Sequence, residues 1–334
     1  MNKAVTFDDV LLVPQYSEII SRKTIDIGNQ LSSNIELQLP VISAPMDTVT
    51  TNSMATAMHA HGGLGIIHRY NTISAQVRML SMVDGVKAAA VGVTGDYLER
   101  AKKLLEAGAS VICVDVAHAH HALTKHALKT LRNTLGYDIH IMVGNVATLE
   151  AFNDLADWGA SSIKVGIGGG SICSTRIQTG HGVPTLQSVI DCSKSDRDAK
   201  LIADGGIKNS GDVVKALAAG ADFVMVGSLL AGTTETPGQI IRIGAESLKK
   251  YRGMTSVEAQ IDWRGHSSSI EGVTHTVPYR GRVSSILKEI EAGIRSGFSY
   301  TGALNIVELQ AKAKFIIQTQ AGLRESKTHI KTRF

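Results

Sequence analysis

The sequence predicts an α/β protein folded as a single (β/α)8 barrel, the TIM-barrel architecture, and three observations lead there. Eight short runs rich in β-branched residues recur along the 334-residue chain, each apolar on both faces. Helix-like segments separate them, and strands buried on both faces with helices between them form parallel sheets. No GxGxxG follows the first run with an acidic residue some twenty positions on, which argues against a doubly wound open sheet. Eight βα units then close a barrel.

In order, the strand runs are LPVISA (39–44), LGIIH (64–68), KAAAVGV (87–93), VICVD (111–115), IHIMV (139–143), SIKVG (162–166), LIADGG (201–206) and FVMVG (223–227). Apolar residues at helical spacing mark YLERAKKLLEAGA (97–109), LEAFNDLADWGA (149–160) and SGDVVKALAAGA (210–221) as helices. One domain, 1–334, is expected: an arm over 1–38, the barrel over about 39–250, and a flap and C-terminal segment over about 251–334. That last segment holds the Ser-rich WRGHSSSIEG (263–272), which reads as flexible.

Composition narrows the function classes. An apolar share of 43% supports a large core. The three cysteines stand in no disulfide-like or CxxC spacing, so a reducing, cytoplasmic setting is expected. Asp8 and Asp9 interrupt the opening apolar stretch, and no run reaches the ~18 apolar residues of a membrane span. The net charge of +4 is scattered and aromatics make up only 4%, so neither a nucleic-acid partner nor a membrane is expected.

In a barrel, chemistry sits on the loops after the strands. Those loops read SAPMDT (43–48), DVAHAHH (115–121), GNVAT (144–148), GIGGGSICST (166–175), DGG (204–206) and GSLLAG (227–232). Barrels often bind phosphate through backbone N–H groups after the last two strands, where glycine lets the main chain approach an anion. Gly205, Gly206, Gly227 and Ser228, with Ser171, are the phosphate candidates. Cys173 stands among hydroxyls and glycines beside Arg176, unlike Cys113 inside VICVD. Spacing alone favours an inert loop cysteine over a nucleophile activated as thiolate; the neighbouring phosphate loops shift that balance toward the nucleophile. Adjacent histidines in HAHH point in different directions, so no metal site is read there, and Asp115 is a better ligand contact than His118 or His120.

Taken together, VTFDDVLLVP, LPVISAPMDTVT, VGIGGGSICSTR, IADGGIKNSGDVVKALAAGADFVMVGS, YRGMTS and VPYRG resemble the IMP dehydrogenase/GMP reductase family over nearly the whole chain. The resemblance implies a cysteine, here Cys173, that adds to C2 of a purine 5′-monophosphate while a nicotinamide cofactor exchanges a hydride with that carbon. It implies phosphate contacts from Ser43, Ser171, Gly206, Gly227, Ser228 and Tyr251, and ribose contacts from Asp204. Met46, Gly253, Met254 and Thr255 would complete the nucleotide site, with Asp115, Asn145 and Gly166 on the cofactor's side. Thr175 and Glu271 match the family's proton-handling pair. Where the family usually has GPGSIC this chain has GGGSIC, so Gly169 replaces a proline and a looser loop is expected.

The family carries two reactions through the same cysteine adduct. Dehydrogenases oxidise IMP with NAD and hydrolyse the adduct with a long flap bearing an Arg-Tyr pair; reductases expel ammonia from GMP and reduce the adduct with NADPH. Here Gly253 to Glu271 is short and holds Trp263-Arg264 but no Arg-Tyr pair, and the CBS insert usual in dehydrogenases after the second strand is absent. Those features favour a GMP reductase using NADPH. SAPMDTVT, YRGM, GTTETPGQ and the tail AGLRESKTH look more like dehydrogenases, so IMP dehydrogenase with NAD is the alternative, with Arg264 as a stand-in for the flap arginine. A non-catalytic purine nucleotide sensor is a more remote reading. The tail resemblance also implies a K+ site formed by the carbonyls of Gly168, Gly170 and Cys173 with Glu325 and Ser326 of a neighbouring subunit, in a homotetramer or homo-octamer.

Overall fold

In the computed structural model, which describes residues 3–326, eight parallel strands close a barrel. They are β1 (Val41–Ser43), β2 (Leu64–Ile67), β3 (Ala88–Val91), β4 (Val111–Asp115), β5 (His140–Val146), β6 (Ser162–Val165), β7 (Lys200–Asp204) and β8 (Phe223–Val226). All eight runs read from the sequence are strands. Closure comes from β8 pairing β1, with Val224 opposite Val41 and Val226 opposite Ser43.

Up to residue 301 the α-helices are α1 (Asn52–Ala60), α2 (Ile73–Ser81), α3 (Tyr97–Glu106), α4 (Ala122–Leu135), α5 (Leu149–Asp157), α6 (Thr175–Thr179), α7 (Thr185–Cys192), α8 (Ser210–Ala218), α9 (Val257–Arg264) and α10 (Val283–Thr301), and two short ones, Ile306–Lys312 and Gln320–Glu325, follow. Their starts are set by side-chain caps. Thr72, Thr148, Asn209 and Ser256 each accept a backbone N–H from the first turn of α2, α5, α8 and α9, satisfying donors that a helix leaves unpaired. Only α2 joins β2 to β3.

One expectation changes here. The segment after residue 250 was read as lying outside the barrel, yet α10 packs against α8 and α1 and so supplies the eighth helix of the ring. Its Ile286, Leu287, Ile290, Ile294 and Phe298 recur at helical spacing and are all buried. The intervening chain forms a three-stranded antiparallel sheet (Ile241–Ile243, Glu246–Arg252 and Thr274–Pro278) and α9, both beyond the C-terminal end of β8.

Apolar burial divides in two. One cluster fills the space between strands and helices; the other fills the barrel interior with Ile42, Leu64, Ile66, Ala88, Ala90, Cys113, Met142, Ile202, Phe223 and Met225. The arm hairpin Asn29–Leu37 adds Leu31, Ile35 and Leu37 to that interior, plugging the barrel at the end opposite the catalytic loops. Among the described residues no helix is long and apolar enough to cross a membrane.

Two buried imidazoles tie this core to pH. His140 is 4% exposed, with Nε2 2.8 Å from Ser162 Oγ, and His68 is 7% exposed. Burial pushes both down to about 4; for His68, Asp47 opposes the shift while Arg252 and Arg100 add to it. A base depressed below its unfolded value of 6.5 favours folding fully above pH 6.5 and loses that contribution as pH falls toward 4. We therefore expect each to cost about 3 kcal/mol by pH 4. The urea midpoint should fall across that window, and His140→Gln should flatten the fall; an unchanged slope in the variant would refute it.

Candidate active site

Three loops and the flap meet above β6, β7 and β8. The β6 loop is fixed by close approach. Gly166 has φ +145°, and a Cβ there would lie 2.0 Å from the Asp204 carbonyl oxygen, so only glycine fits. At Gly169 a Cβ would meet Thr185 Oγ1 at 2.3 Å, and Thr185 is buried. The glycine that replaces the usual proline thus sits packed against the start of α7, where a side chain would not fit.

Cys173 follows on this loop, partly exposed, whereas Cys113 and Cys192 are buried and burial pushes both thiols up to about 12. Its Sγ lies 3.1 Å from Thr175 Oγ1, which donates to Glu271 Oε2 at 2.8 Å. Glu271 is 98 positions away in sequence, and a short ladder brings it here. Ser174 N donates to the Glu271 carbonyl at 2.8 Å, Ser174 Oγ to the Ile270 carbonyl at 3.1 Å, and Val273 N to the Ile172 carbonyl at 3.1 Å. Thiol, hydroxyl and carboxylate form one hydrogen-bonded line, an arrangement that can pass a proton to or from a group at the sulfur.

Beside that line opens a cavity of about 200 Å³. Met46, Ser171, Cys173, Asp204, Gly206, Gly227, Ser228, Tyr251, Gly253, Met254 and Thr255 all line it, so the structure brings these sequence candidates together, with Gly205 and Gly170 beside them. Tyr251 is 4% exposed; burial pushes its phenol up to about 12, against hydrogen bonds from Ser171 and Ser228. Hydroxyls and glycine backbone gathered around one cavity suit a phosphate.

Ser43 is not brought to the cavity: it is fully buried, and its Oγ accepts from Thr50 Oγ1 at 2.8 Å. Arg264 is not brought there either. Its guanidinium donates to Gln260 Oε1 and Ser268 Oγ and to the His266 carbonyl, holding its own loop. The segment read as flexible is also tied down: Trp263 on α9 stacks on Tyr70 with ring centroids 4.2 Å apart and planes at 11°.

Behind Asp204, which lines the cavity, Asn145 Nδ2 donates to Asp204 Oδ2 at 2.9 Å and to the Gly166 carbonyl at 2.8 Å. Lys164 bonds Asp115 and lies 3.7 Å from Asp204, with a side chain only 2% exposed. Burial alone would lower this ammonium, but Asp115 and Asp204 outweigh burial and hold it above its usual value. Burial raises the Asp204 carboxyl despite Lys164 and Asn145. Sequence reading missed Lys164 because, inside SIKVG, it looks like one polar residue in a strand. It also missed the arm, whose Thr6, Phe7 and Asp8 line an adjoining cavity that shares Ser171, Gly206 and Ser228 with the first. Glu325 and Ser326 lie on and just after the tail helix Gln320–Glu325, packed against Phe7–Asp9 of the arm. Among the described residues no cluster of three metal-ligating side chains occurs, and His120 is paired with Asp154 at 2.9 Å.

Fold and site together define a barrel enzyme whose partly exposed cysteine lines a cavity walled by the strand-end loops. The IMP dehydrogenase / GMP reductase domain model matches residues 4–329, and the chain belongs to that family of purine nucleotide oxidoreductases. It is 38% identical to an inosine-5′-monophosphate dehydrogenase of Cryptosporidium parvum, over 98% of this chain and 96% of that protein. It is 31% identical to a GMP reductase of Leishmania major, over 98% and 97% respectively. The solved structure of a cysteine-to-alanine variant of GMP reductase from Trypanosoma brucei, in complex with guanosine 5′-monophosphate, is 30% identical, covers 99% of both chains and superposes with a TM-score of 0.94.

Proposed function

We propose that this chain is a GMP reductase, converting GMP and NADPH to IMP, ammonia and NADP. The observation that carries the reading is the Cys173–Thr175–Glu271 line with Arg264 engaged elsewhere: a proton path is present at the sulfur, and the flap's arginine is turned to its own loop. The Cys173 sulfur adds to C2 of the purine, and the C2 amino group leaves as ammonia with a proton passed through Thr175 from Glu271. NADPH, when bound, supplies the hydride that C2 takes up as the carbon–sulfur bond breaks and the thiolate returns. Ser171, Gly206, Gly227, Ser228 and Tyr251 hold the 5′-phosphate, Asp204 the ribose hydroxyls, and Met46, Gly253, Met254 and Thr255 the base. Asp115, Asn145 and Gly166 face the nicotinamide. The carbonyls of Gly168, Gly170 and Cys173 would supply oxygen donors of the kind K+ takes. In a homotetramer or homo-octamer, Glu325 and Ser326 of a neighbouring subunit would complete that site.

The second reading, IMP dehydrogenase using NAD, is favoured by identities of 34% and 38% to relatives of that name, against 31% to a reductase. Absorbance at 340 nm separates the two. Loss with GMP and NADPH supports the reductase; a rise with IMP, NAD and K+ overturns it.

A further inference from the structure

Gln260 on α9 takes no part in the nucleotide cavity, yet it is the most heavily bonded side chain of the flap and is 1% exposed. Its Nε2 donates to the Thr255 carbonyl at 2.9 Å, the Ser269 carbonyl at 2.8 Å and, more weakly, the Ser256 carbonyl at 3.3 Å. Its Oε1 accepts from Ser268 N at 3.0 Å and from the Arg264 guanidinium at 2.6 Å, with Ser268 Oγ at 3.4 Å. One buried amide therefore joins the turn after Gly253, which lines the cavity, to the irregular segment that enters the catalytic line two residues later at Glu271.

We propose that Gln260 is the positioning residue for Glu271, setting the carboxylate's distance to Thr175 and through it to Cys173. From Ser268 to Val273 the flap has two anchors. Gln260 grips Ser268 and Ser269 on the entering side, and the Cys173 loop grips Ile270, Glu271 and Val273 on the leaving side. Neither Ser267–Ser269 nor Glu271 belongs to a helix or a named strand, so no regular ladder fixes the entering side. The main-chain groups of residues 268 and 269 would otherwise exchange with water, and a carboxylate displaced by about 1 Å loses a proton path that needs hydrogen-bond reach. Arg264 and Trp263 then act with the amide: Arg264 closes over its oxygen, and the Trp263–Tyr70 stack seats α9 on the barrel.

This inference rests on the Cys173–Thr175–Glu271 reading but not on which of the two reactions runs, because both need that line. Wild-type enzyme is first assayed in both directions at 340 nm, and the variants are then measured in whichever direction turns over. Gln260→Met keeps the volume and removes every hydrogen bond. Its expected result is a kcat lower by about 100-fold with the nucleotide KM within about threefold, since the phosphate and ribose contacts lie elsewhere. Gln260→Glu keeps the acceptor toward Ser268 and Arg264 but can donate to Ser269 only when its carboxyl is protonated. Its kcat relative to wild type should therefore recover at least about tenfold as pH falls from 8.5 to 6. A merely structural role gives a different pattern: a lowered melting midpoint with kcat of folded protein within about threefold of wild type, and no pH-dependent recovery in Gln260→Glu. Either of those, or a nucleotide KM that rises in step with the loss of kcat, overturns the proposal.

Discussion

Cys173→Ala is expected to reduce turnover by at least about 10⁴-fold in either direction, because both reactions form and break a bond at this sulfur and nothing else in the line can replace it. Thr175 lies 3.1 Å from the sulfur and Glu271 beyond it, and neither hydroxyl nor carboxylate is a comparable nucleophile toward an electron-poor purine carbon. Nucleotide affinity should change by less than about tenfold, or ~1.4 kcal/mol, because the cavity's hydroxyls and glycines are untouched. Isothermal titration with GMP and with IMP measures the second quantity, and the 340 nm assay the first. Retained turnover would remove the covalent mechanism altogether. Lost turnover accompanied by lost binding would instead place Cys173 in the wall of the cavity. A nucleotide sensor predicts a third pattern, in which a variant without the thiol behaves like the wild type in every binding-dependent readout.

The contrast among the three cysteines explains how much of this was legible in the sequence. Cys113 sits in an unbroken apolar run and is buried in the barrel interior, as such a run implies. Cys173 sits among glycines and hydroxyls, and it is the one left partly exposed. Strands were legible for the same reason: a parallel barrel strand is apolar on both faces, so LGII and FVMV stand out without any neighbour to pair them. The cavity was legible because its walls are the loops that follow those strands. What could not be read is whatever depends on distant partners. Gln260 is one polar residue on a short helix until Ser269 and Arg264 fold around it. Ser43 closes an apolar strand at the edge of a catalytic loop, and only the position of Thr50 shows that its hydroxyl is turned away into the core. The eighth barrel helix was missed because a long excursion, Ile241 to Pro278, separates β8 from α10, so alternation of strand and helix fails at the last unit.

Lys164 is the clearest case of a residue whose importance exists only in three dimensions, and Lys164→Met should cost about 4 kcal/mol of stability at pH 8. The side chain is 2% exposed and faces Asp115 and Asp204, whose side chains are 22% and 20% exposed. Gly144 makes room for it, since a Cβ there would come within 2.4 Å of Lys164 Cβ. Methionine fills similar volume, so the loss is electrostatic: two carboxylates are left in a poorly solvated site without their shared cation. Burial already raises the Asp204 carboxyl, with Lys164 holding it down, so removing the ammonium raises it further. An acid whose folded pKa lies above its unfolded value destabilises the fold increasingly as pH rises from the unfolded value to the folded one, because over that range the folded state holds the proton the unfolded state has lost. The deficit of Lys164→Met relative to wild type should therefore be largest at pH 8 and shrink toward pH 5. Urea denaturation at both values checks this, and a deficit that is equal at both would mean that packing, not charge, is what Lys164 supplies. Adding Asp115→Asn removes one of the two stranded charges and should return part of the stability lost by Lys164→Met, whereas Asp115→Asn in the wild-type background should not stabilise. That non-additivity is the signature of a cation shared between the two carboxylates. The same ammonium thus holds in place Asp204, at the proposed ribose end, and Asp115, at the proposed nicotinamide end, so the charge that stabilises the barrel also fixes the spacing between the two halves of the site.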